Sequence, residues 1–327
     1  MDNKWWKVAI AVSAALIIVG AIYFAIDNRF LLGNIPSGQE APKKIALVLR
    51  STDNPSFIEM ERTARISELA LGVNIIVRKL SQEVDSSEQI AILHDLANQD
   101  IDALVIDPVD SMALLPVIKQ YQAAGIPVVN VGCRLDPASM IQFNMSVPPF
   151  VCIDNESAAY DAAKFVSDRI TKPTNVVLFM GINSSILSDT RKRGALRAFS
   201  ENPYCALKLT KIVYWSKNQA TFTAKTLYND YASIGCFFCV DDVVAIGVAE
   251  YLEQTNRRDV MVVGFGDLKA AETYIEKGYM TLTVAERSGK QISTAIKYAV
   301  DLLDGKKVPQ ATYIDYSLVD DKMLKER

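Results

Sequence analysis

From residue 45 onward, short apolar runs alternate with longer stretches that have the periodicity of amphipathic helices. The runs are often β-branched and do not alternate strictly between polar and apolar residues, which is typical of strands buried on both faces. The nine runs are IALVL (45–49), VNIIV (73–77), DALVI (102–106), PVVNV (127–131), NVVLF (175–179), KIVYW (211–215), CFFCV (236–240), VMVVGF (260–265) and TLTVA (281–285). The helical patterns are Ser56–Leu71, Ser87–Gln99, Met112–Ala124, Ala158–Ile170, Thr190–Ser200, Val243–Gln254 and Gly289–Leu303. This order predicts an α/β protein with doubly wound parallel sheets.

The number of strands indicates two lobes. Nine strands over roughly 280 residues are too many for one domain of ordinary size, so two lobes of similar architecture are expected. The irregular stretch 132–151 contains Pro137, Pro148 and Pro149 and interrupts the alternation. We therefore expect the first lobe to end near this stretch.

Polar and aromatic residues follow closely after the apolar runs. Open parallel sheets bind ligands at the carboxyl ends of their strands, so these positions are candidates for a binding site. Aromatic faces combined with carboxylates and guanidinium groups suit a polyhydroxylated ligand, because rings pack on C–H faces and charged groups hydrogen-bond hydroxyls. The candidates are Arg50, Asn54, Phe57, Arg134, Arg191, Trp215, Asp241, Asp267 and Glu286.

Each candidate also has a simpler structural interpretation. Asp242 precedes an apolar helical pattern and is expected to be its N-cap, which leaves Asp241 as the ligand contact. Arg191 is either a ligand contact or part of a solvated helix face, and Trp215 either contacts the ligand or packs between the lobes. The prediction therefore depends on the recurrence of such residues at one edge of the sheets.

Composition and motifs argue against several classes of protein. A net charge of −3 without a long basic run argues against nucleic-acid binding. The single His, His94, is expected on a helix surface and is too few for most zinc sites or a His relay. The sequence contains neither a phosphate-binding P-loop nor a G-x-S-x-G nucleophile motif. We predict no catalytic residue, no metal and no cofactor.

Two cysteines have the spacing of a redox or metal-binding pair. Cys236 and Cys239 nevertheless lie within an apolar strand pattern. Side chains three residues apart on a strand point to opposite faces, so a shared site is not expected. We predict two buried thiols without a reactive role.

The N-terminal part contains an uncharged run of 19 residues, Val8–Ile26. As a helix it would be roughly 28 Å long, close to the thickness of a bilayer's hydrocarbon core. Lys4 and Lys7 precede it, which predicts a cytoplasmic N-terminus and an exported body. We expect an uncleaved transmembrane anchor within residues 1–29 and a linker over 30–43. The alternative is a signal peptide cleaved after a small-residue site, which would release a secreted form.

An ordered series of segments carries a resemblance to a known family. The chain resembles the type I periplasmic binding proteins of the ribose/galactose/xylose class, which share their fold with the ligand-binding core of LacI-type repressors. The segments are IALVLRSTDNPSF, DALVIDPVDS, AAGIPVV, CIDNESAAYDAAKFV, TRKRGALRAF, CFFCVDDVVAIGVAEYL and DVMVVGFGD.

The resemblance implies two lobes joined by three hinge crossovers. The N-terminal lobe would comprise 44–153 plus 287–314, and the C-terminal lobe 154–286 plus 315–327. The family's ligand contacts fall on Asn54, Phe57, Arg134, Arg191, Asp241 and Glu286, with Asp267 or Gly266 at one further position and Trp215 near an aromatic position.

Several positions depart from the pattern of the family. Arg50 replaces a small polar residue, Ser56 replaces an aromatic residue, and Cys133 precedes Arg134 where Asp-Arg is usual. Gly266 stands where Asp is frequent. These changes leave the sugar undefined, and the additional Arg50 is compatible with an anionic or modified sugar.

Together these features predict an extracytoplasmic receptor that clamps a small, pentose- or hexose-like carbohydrate and is not an enzyme. Its membrane partner would be an ABC sugar permease or a sensor histidine kinase. The apolar run 8–26, without a cysteine nearby for lipidation, favours signalling, although the sequence does not separate the two roles. The alternative from another class is an α/β enzyme acting on a small polar or nucleotide substrate. A repressor is disfavoured, because an apolar run precedes the body where a DNA-binding domain would be.

Overall fold

Two parallel sheets form the framework of the molecule, which is described by a computed structural model covering residues 41–51, 54–81, 84–231 and 233–326. The strands are β1 (Lys44–Leu49), β2 (Asn74–Lys79), β3 (Ala103–Ile106), β4 (Val128–Val131), β5 (Phe150–Ile153), β6 (Thr174–Met180), β7 (Cys205–Ile212), β8 (Ile234–Cys239), β9 (Met261–Phe265), β10 (Leu282–Ala285), β11 (Ala311–Ile314) and β12 (Ser317–Asp320). The helices are α1 (Pro55–Leu71), α2 (Ser86–Ala97), α3 (Leu115–Ala123), α4 (Pro137–Gln142), α5 (Asn155–Ser167), α6 (Ile186–Ser200), α7 (Lys217–Asp230), α8 (Asp242–Gln254), α9 (Lys269–Glu276), α10 (Ser288–Leu303) and α11 (Asp321–Lys325).

Each sheet has six strands. The first has the order β11-β5-β4-β3-β1-β2, and the second has the order β12-β10-β9-β8-β6-β7. All pairs are parallel except β10 and β12, which are antiparallel. The central strands β3, β4 and β5 are buried along their whole length. The prediction of two doubly wound α/β lobes is thereby confirmed.

The chain passes between the two sheets three times. It leaves the first sheet after β5, returns to it after β10, and leaves it again between β11 and β12. Helix α10, which follows β10, packs against α1 and the first sheet. These crossovers bring the carboxyl ends of the strands of both sheets into the cleft between the lobes.

The sixth apolar run was assigned wrongly. The strand β7 ends at Ile212, and Val213, Tyr214 and Trp215 form the turn that follows it. As an edge strand β7 is largely exposed, and Lys208, Thr210 and Lys211 interrupt its apolar residues, so it gives a weak strand signal. The run at 211–215 is apolar for another reason: Val213 and Trp215 are buried beyond the end of the strand.

Sequence patterning also missed several elements. Strand β5 and helix α4 lie within or at the end of the stretch 132–151, where three prolines suggested irregular structure. Pro137 is instead the first residue of α4. Helices α7, α9 and α11 and the short strand β11 were not predicted either.

Cys236 and Cys239 are buried, and the single histidine is exposed. Cys236 and Cys239 are fully buried in β8 and face different hydrophobic clusters, on opposite sides of the sheet. Burial raises the pKa of both thiols. His94 is exposed near the end of α2, as predicted.

The predicted anchor, Val8–Ile26, and nearly all of the linker lie outside the described residues. Within the described part of the chain, no helix is long and apolar enough to span a membrane.

Candidate functional site

The loops at the carboxyl ends of both sheets enclose a cavity between the lobes. Eight of the nine predicted contact residues line it: Arg50, Asn54, Phe57, Arg191, Trp215, Asp241, Asp267 and Glu286. Arg50, Asn54 and Phe57 follow β1 in the first lobe. In the second lobe Trp215, Asp241, Asp267 and Glu286 follow the ends of strands, and Arg191 lies in the second turn of α6. The structure thus brings them together, and their role as ligand contacts stays a prediction.

Arg191 is the most constrained of these side chains. It is 2% exposed, so the alternative of a solvated helix face is wrong. Its guanidinium donates to Asn155 Oδ1 at 2.8 Å and to the Val240 carbonyl at 2.6 Å, and it pairs with Glu286 Oε1 at 2.8 Å. The guanidinium carbon also lies 4.4 Å from the centre of the Phe265 ring. Arg191 therefore fixes the position of the Glu286 carboxylate.

Burial and the ion pair act on Glu286 in opposite directions. Burial is the larger effect and raises the pKa of Glu286, whereas the charge of Arg191 lowers it. The net effect is that the pKa of Glu286 lies above its ordinary value. The pair is consequently a polar group of fixed geometry rather than a solvated salt bridge.

Arg50 forms a second buried ion pair, within the first lobe. Its Nε lies 3.1 Å from Asp107 Oδ2, and the side chain of Asp107 is 1% exposed. The Arg50 guanidinium carbon lies 5.2 Å from the centre of the Phe57 ring and 5.4 Å from that of the Trp215 ring. Arg50 is thus in contact with aromatic rings of both lobes.

Asp107 is a cavity residue that the sequence analysis missed. It directly follows β3, so the same strand-end rule that selected the other candidates would have found it. Its Oδ1 accepts from the Cys133 amide at 2.9 Å. Burial raises its pKa, and the charge of Arg50 opposes that rise.

The prediction for the two consecutive aspartates at the start of α8 was wrong in one respect. Asp241, rather than Asp242, is the N-cap, and its Oδ1 accepts from the Val243 amide at 2.6 Å. Asp242 is buried behind the cavity, where it accepts from Thr283 Oγ1 at 2.6 Å, and burial raises its pKa well above the ordinary value. Asp241 still lines the cavity, because an N-cap residue stays outside the helix with part of its carboxylate free.

Gly266 and Asp267 explain a departure from the family pattern. A Cβ atom at Gly266 would lie 2.8 Å from Asp242 Oδ2, and the backbone there has a φ of +149°. The frequent aspartate of the family therefore does not fit beside Asp242. The next residue, Asp267, is exposed and accepts from the amides of Arg287 and Ser288 at 3.0 and 2.6 Å, which fixes the start of α10.

Tyr214 and Trp215 adopt an unusual backbone. Both have left-handed φ values, 54° and 57°, which bulky residues rarely adopt and which cost roughly 1–3 kcal/mol each. The indole of Trp215 occupies the space that a Cβ of Gly181 would need, since such a Cβ would be 2.2 Å from the ring. The fold thus holds the indole at the wall of the cavity at an energetic cost, a pattern that is typical of functional sites.

Arg134 is the predicted contact that does not reach this cavity. Its guanidinium lies over the Phe150 ring, 5.1 Å from the ring centre, and lines a separate cleft beside the starts of α5 and α6. The neighbouring Cys133 is buried and does not take the place of the acidic residue that commonly precedes this arginine.

Hydrogen bonds between the lobes show that this is a closed conformation. The Ser111 amide donates to the Ser184 carbonyl at 3.2 Å, and the Ile186 amide donates to Ser111 Oγ at 3.1 Å. The cavity that remains is about 40 Å³, on a scale where one water needs roughly 10–15 Å³. The closed conformation therefore leaves a small cavity that contains room for more than one water molecule.

A cleft between two doubly wound lobes, joined by three crossovers and lined by charged and aromatic side chains, defines a two-lobed solute-binding protein. The comparisons agree with this class. The model of the periplasmic binding protein domain matches residues 45–307. The chain belongs to this family and is a type I periplasmic sugar-binding protein of the ribose/allose class.

Characterised relatives cover most of the chain. The D-allose-binding periplasmic protein of Escherichia coli is 25% identical over 86% of this chain and 91% of its own length. The D-ribose/D-allose-binding protein of Pseudomonas aeruginosa is 28% identical over 82% and 85%. A solved structure of an ABC transporter periplasmic solute-binding protein from Actinobacillus succinogenes, with bound D-allose, has a TM-score of 0.82 and 26% identity, and it covers 87% of this chain and all of that chain.

Proposed function

We propose that the protein is a receptor, not an enzyme, that binds one small neutral monosaccharide between its lobes outside the cytoplasm. The observation that carries the proposal is the composition of the cavity. Phe57 of one lobe and Trp215 of the other supply aromatic faces, while the Arg191–Glu286 pair and Asp241 supply fixed polar groups. Rings that pack on C–H faces and charged groups that hydrogen-bond hydroxyls together suit a sugar.

The charges in the cavity favour a neutral ligand. Arg50 is balanced by Asp107 and Arg191 by Glu286. Asp241 and Asp267 add negative charge without a further arginine along the cavity wall within the described residues. An anionic sugar would be repelled by this surplus of carboxylates. In the sequence alone, Arg50 was compatible with an anionic sugar. Its pairing with Asp107 argues against such a ligand.

Binding would be coupled to movement of the lobes. The three crossovers provide the hinge, and the two lobes contribute different contacts to the same ligand. A ligand that touches both lobes stabilises the closed conformation through those additional contacts.

The membrane partner that we propose is an ABC sugar permease. The support is the nature of the relatives: the Bacillus subtilis relative, 26% identical over 83% of this chain, is a ribose import binding protein, and the Actinobacillus succinogenes protein is an ABC transporter solute-binding protein. Signalling to a sensor kinase stays a prediction that rests on the apolar segment 8–26.

Isothermal titration calorimetry tests the ligand class. The full chain is titrated with D-allose, D-ribose, D-arabinose and a sugar acid, and the recovered ligand is analysed by mass spectrometry. We expect at least one neutral aldose to bind with unchanged mass and the sugar acid not to bind. Turnover of a sugar, or no heat with any neutral sugar, would contradict the proposal.

Asp241→Asn tests the position of the ligand. Asn is as good an N-cap as Asp, so α8 is expected to keep its stability while the cavity loses a carboxylate. The affinity for the bound sugar is expected to fall about tenfold, or about 1.4 kcal/mol. The matched control is Asp154→Asn, at the N-cap of α5 outside this cavity. Equal affinities of the Asp241 variant and the wild type would remove Asp241 from the site.

A further inference from the structure

Two buried polar atoms in the wall of the cavity have no hydrogen-bond partner within the described part of the chain. They are the indole Nε1 of Trp215 and the hydroxyl oxygen of Ser288. Each residue is 4% exposed. Buried donors are nearly always paired in folded proteins, and an orphaned one costs free energy. Two such atoms in one ligand cavity point to partners that the ligand supplies.

The two atoms belong to opposite lobes. Trp215 lies in the turn after β7 of the second sheet. Ser288 is the first residue of α10, which packs against the first sheet and α1. A ligand that hydrogen-bonds both would therefore connect the lobes.

The backbone holds both residues in place. The left-handed backbone of Tyr214 and Trp215 and the close approach of the indole to Gly181 hold the tryptophan. The Ser288 amide donates to Asp267 Oδ2 at 2.6 Å, which fixes the start of α10. The indole N–H is thus positioned before a ligand binds, and the Ser288 hydroxyl is held at the cavity wall with only rotation about its Cα–Cβ bond remaining.

Resting on the proposed function, we propose that Trp215 Nε1 and the Ser288 hydroxyl bind oxygen atoms of the same sugar from opposite lobes. The indole N–H only donates, so it selects a ligand oxygen that accepts, whereas the serine hydroxyl donates or accepts. Both bonds can form only when the lobes are closed around the ligand. The two residues thereby determine specificity and contribute to closure.

The test measures affinity and ligand-free stability on the same variants of the full chain. Ser288→Ala removes the hydroxyl, and benzothienylalanine at position 215 replaces the indole N–H by sulfur with little change of shape. Each is expected to weaken binding of the sugar identified by calorimetry about three- to tenfold. The stability of the ligand-free protein in urea is expected to stay equal or to rise, because each change removes an unpaired buried polar atom.

Controls separate this effect from a general loss of packing. Ser293→Ala lies on the same helix, where the hydroxyl donates to the Lys290 carbonyl, and it should leave affinity unchanged. Trp215→Phe is a second variant at 215 if benzothienylalanine does not incorporate. Monodeoxy analogues of the sugar identify the oxygen that accepts from the indole N–H. One analogue should bind the wild type weakly, and its affinity should not fall further in the position-215 variant.

The outcomes are distinct. Wild-type titrations decide the proposed function, and if no sugar binds, both proposals fall. If the wild type binds and both variants match it within twofold, the inference is wrong while the proposed function stands. The inference would also be wrong if the variants bind the sugar more weakly and the ligand-free protein loses as much free energy of unfolding as it loses free energy of binding. That result would indicate that the two side chains act through packing.

Discussion

Replacing Arg191 by methionine is expected to lower the free energy of unfolding by about 3–5 kcal/mol, because removal of one partner of a buried ion pair leaves the other charge unpaired. The variant would leave Glu286 without its guanidinium and would also strip Asn155 Oδ1 and the Val240 carbonyl of a donor. Sugar binding is expected to be lost in calorimetry, since the position of Glu286 depends on this pair. Urea denaturation followed by far-UV circular dichroism measures the change in stability.

Arg193→Met is the matched control, two residues along the same helix. Arg193 is exposed and pairs with Glu156 and Asp189 at the surface, so its loss should cost less than about 1 kcal/mol. A comparable effect of both substitutions would contradict the account of Arg191. If Arg191→Met does not fold, Glu286→Gln keeps the hydrogen-bonding shape and is expected to retain the fold and lose sugar affinity.

Replacing Arg50 by alanine is the second substitution with a large expected effect, a loss of about 3 kcal/mol in the free energy of unfolding. The change leaves the buried carboxylate of Asp107 without its ion pair. Burial already raises the pKa of Asp107 and Arg50 opposes that rise, so the variant should raise it further. A carboxyl whose pKa is higher in the folded than in the unfolded protein takes up a proton on folding. The loss of stability caused by Arg50→Ala should therefore become smaller as the pH falls through the pKa of Asp107 in the folded variant.

The double variant Arg50→Ala/Asp107→Asn separates the charge from the packing. It removes both charges and keeps the acceptor for the Cys133 amide, so it should recover most of the lost stability and lose the pH dependence of the deficit. Urea denaturation at several pH values measures both. The alternative is that the double variant is as unstable as Arg50→Ala and that its loss of stability does not depend on pH. That result would show that the arginine acts through its contacts with Phe57 and Trp215 instead.

One physical rule was enough to predict from the sequence most of the residues that line the cavity. Strands of a parallel sheet end at the same edge, so Arg50, Asp241 and Glu286 are adjacent in space although distant in the chain. The same rule covers Asp107, which directly follows β3 but was not among the predicted contacts. Strand β3 was also predicted from the sequence, since burial on both faces leaves a continuous apolar run.

Other features depend on packing that local sequence does not carry. The choice of Asp241 over Asp242 as N-cap depends on Thr283 in β10 and on Gly266 directly after β9, both distant from these aspartates in the sequence. Arg134 turns toward Phe150 rather than the cavity. The exposed edge strand β7 gives a weak signal because polar residues interrupt its apolar pattern. The orphaned atoms of Trp215 and Ser288 become visible only when burial is known.

Hydrogen exchange measured by mass spectrometry, with and without the sugar that calorimetry identifies, tests most directly whether the ligand is held between the lobes. Amide exchange is expected to slow in both lobes, at 54–57 and 288–291 of the first lobe and at 213–216 and 239–243 of the second. The exposed end of α2 around His94, remote from the cavity, should be unchanged. Slower exchange confined to one lobe, or to regions outside these loops, would contradict a site shared by the two lobes.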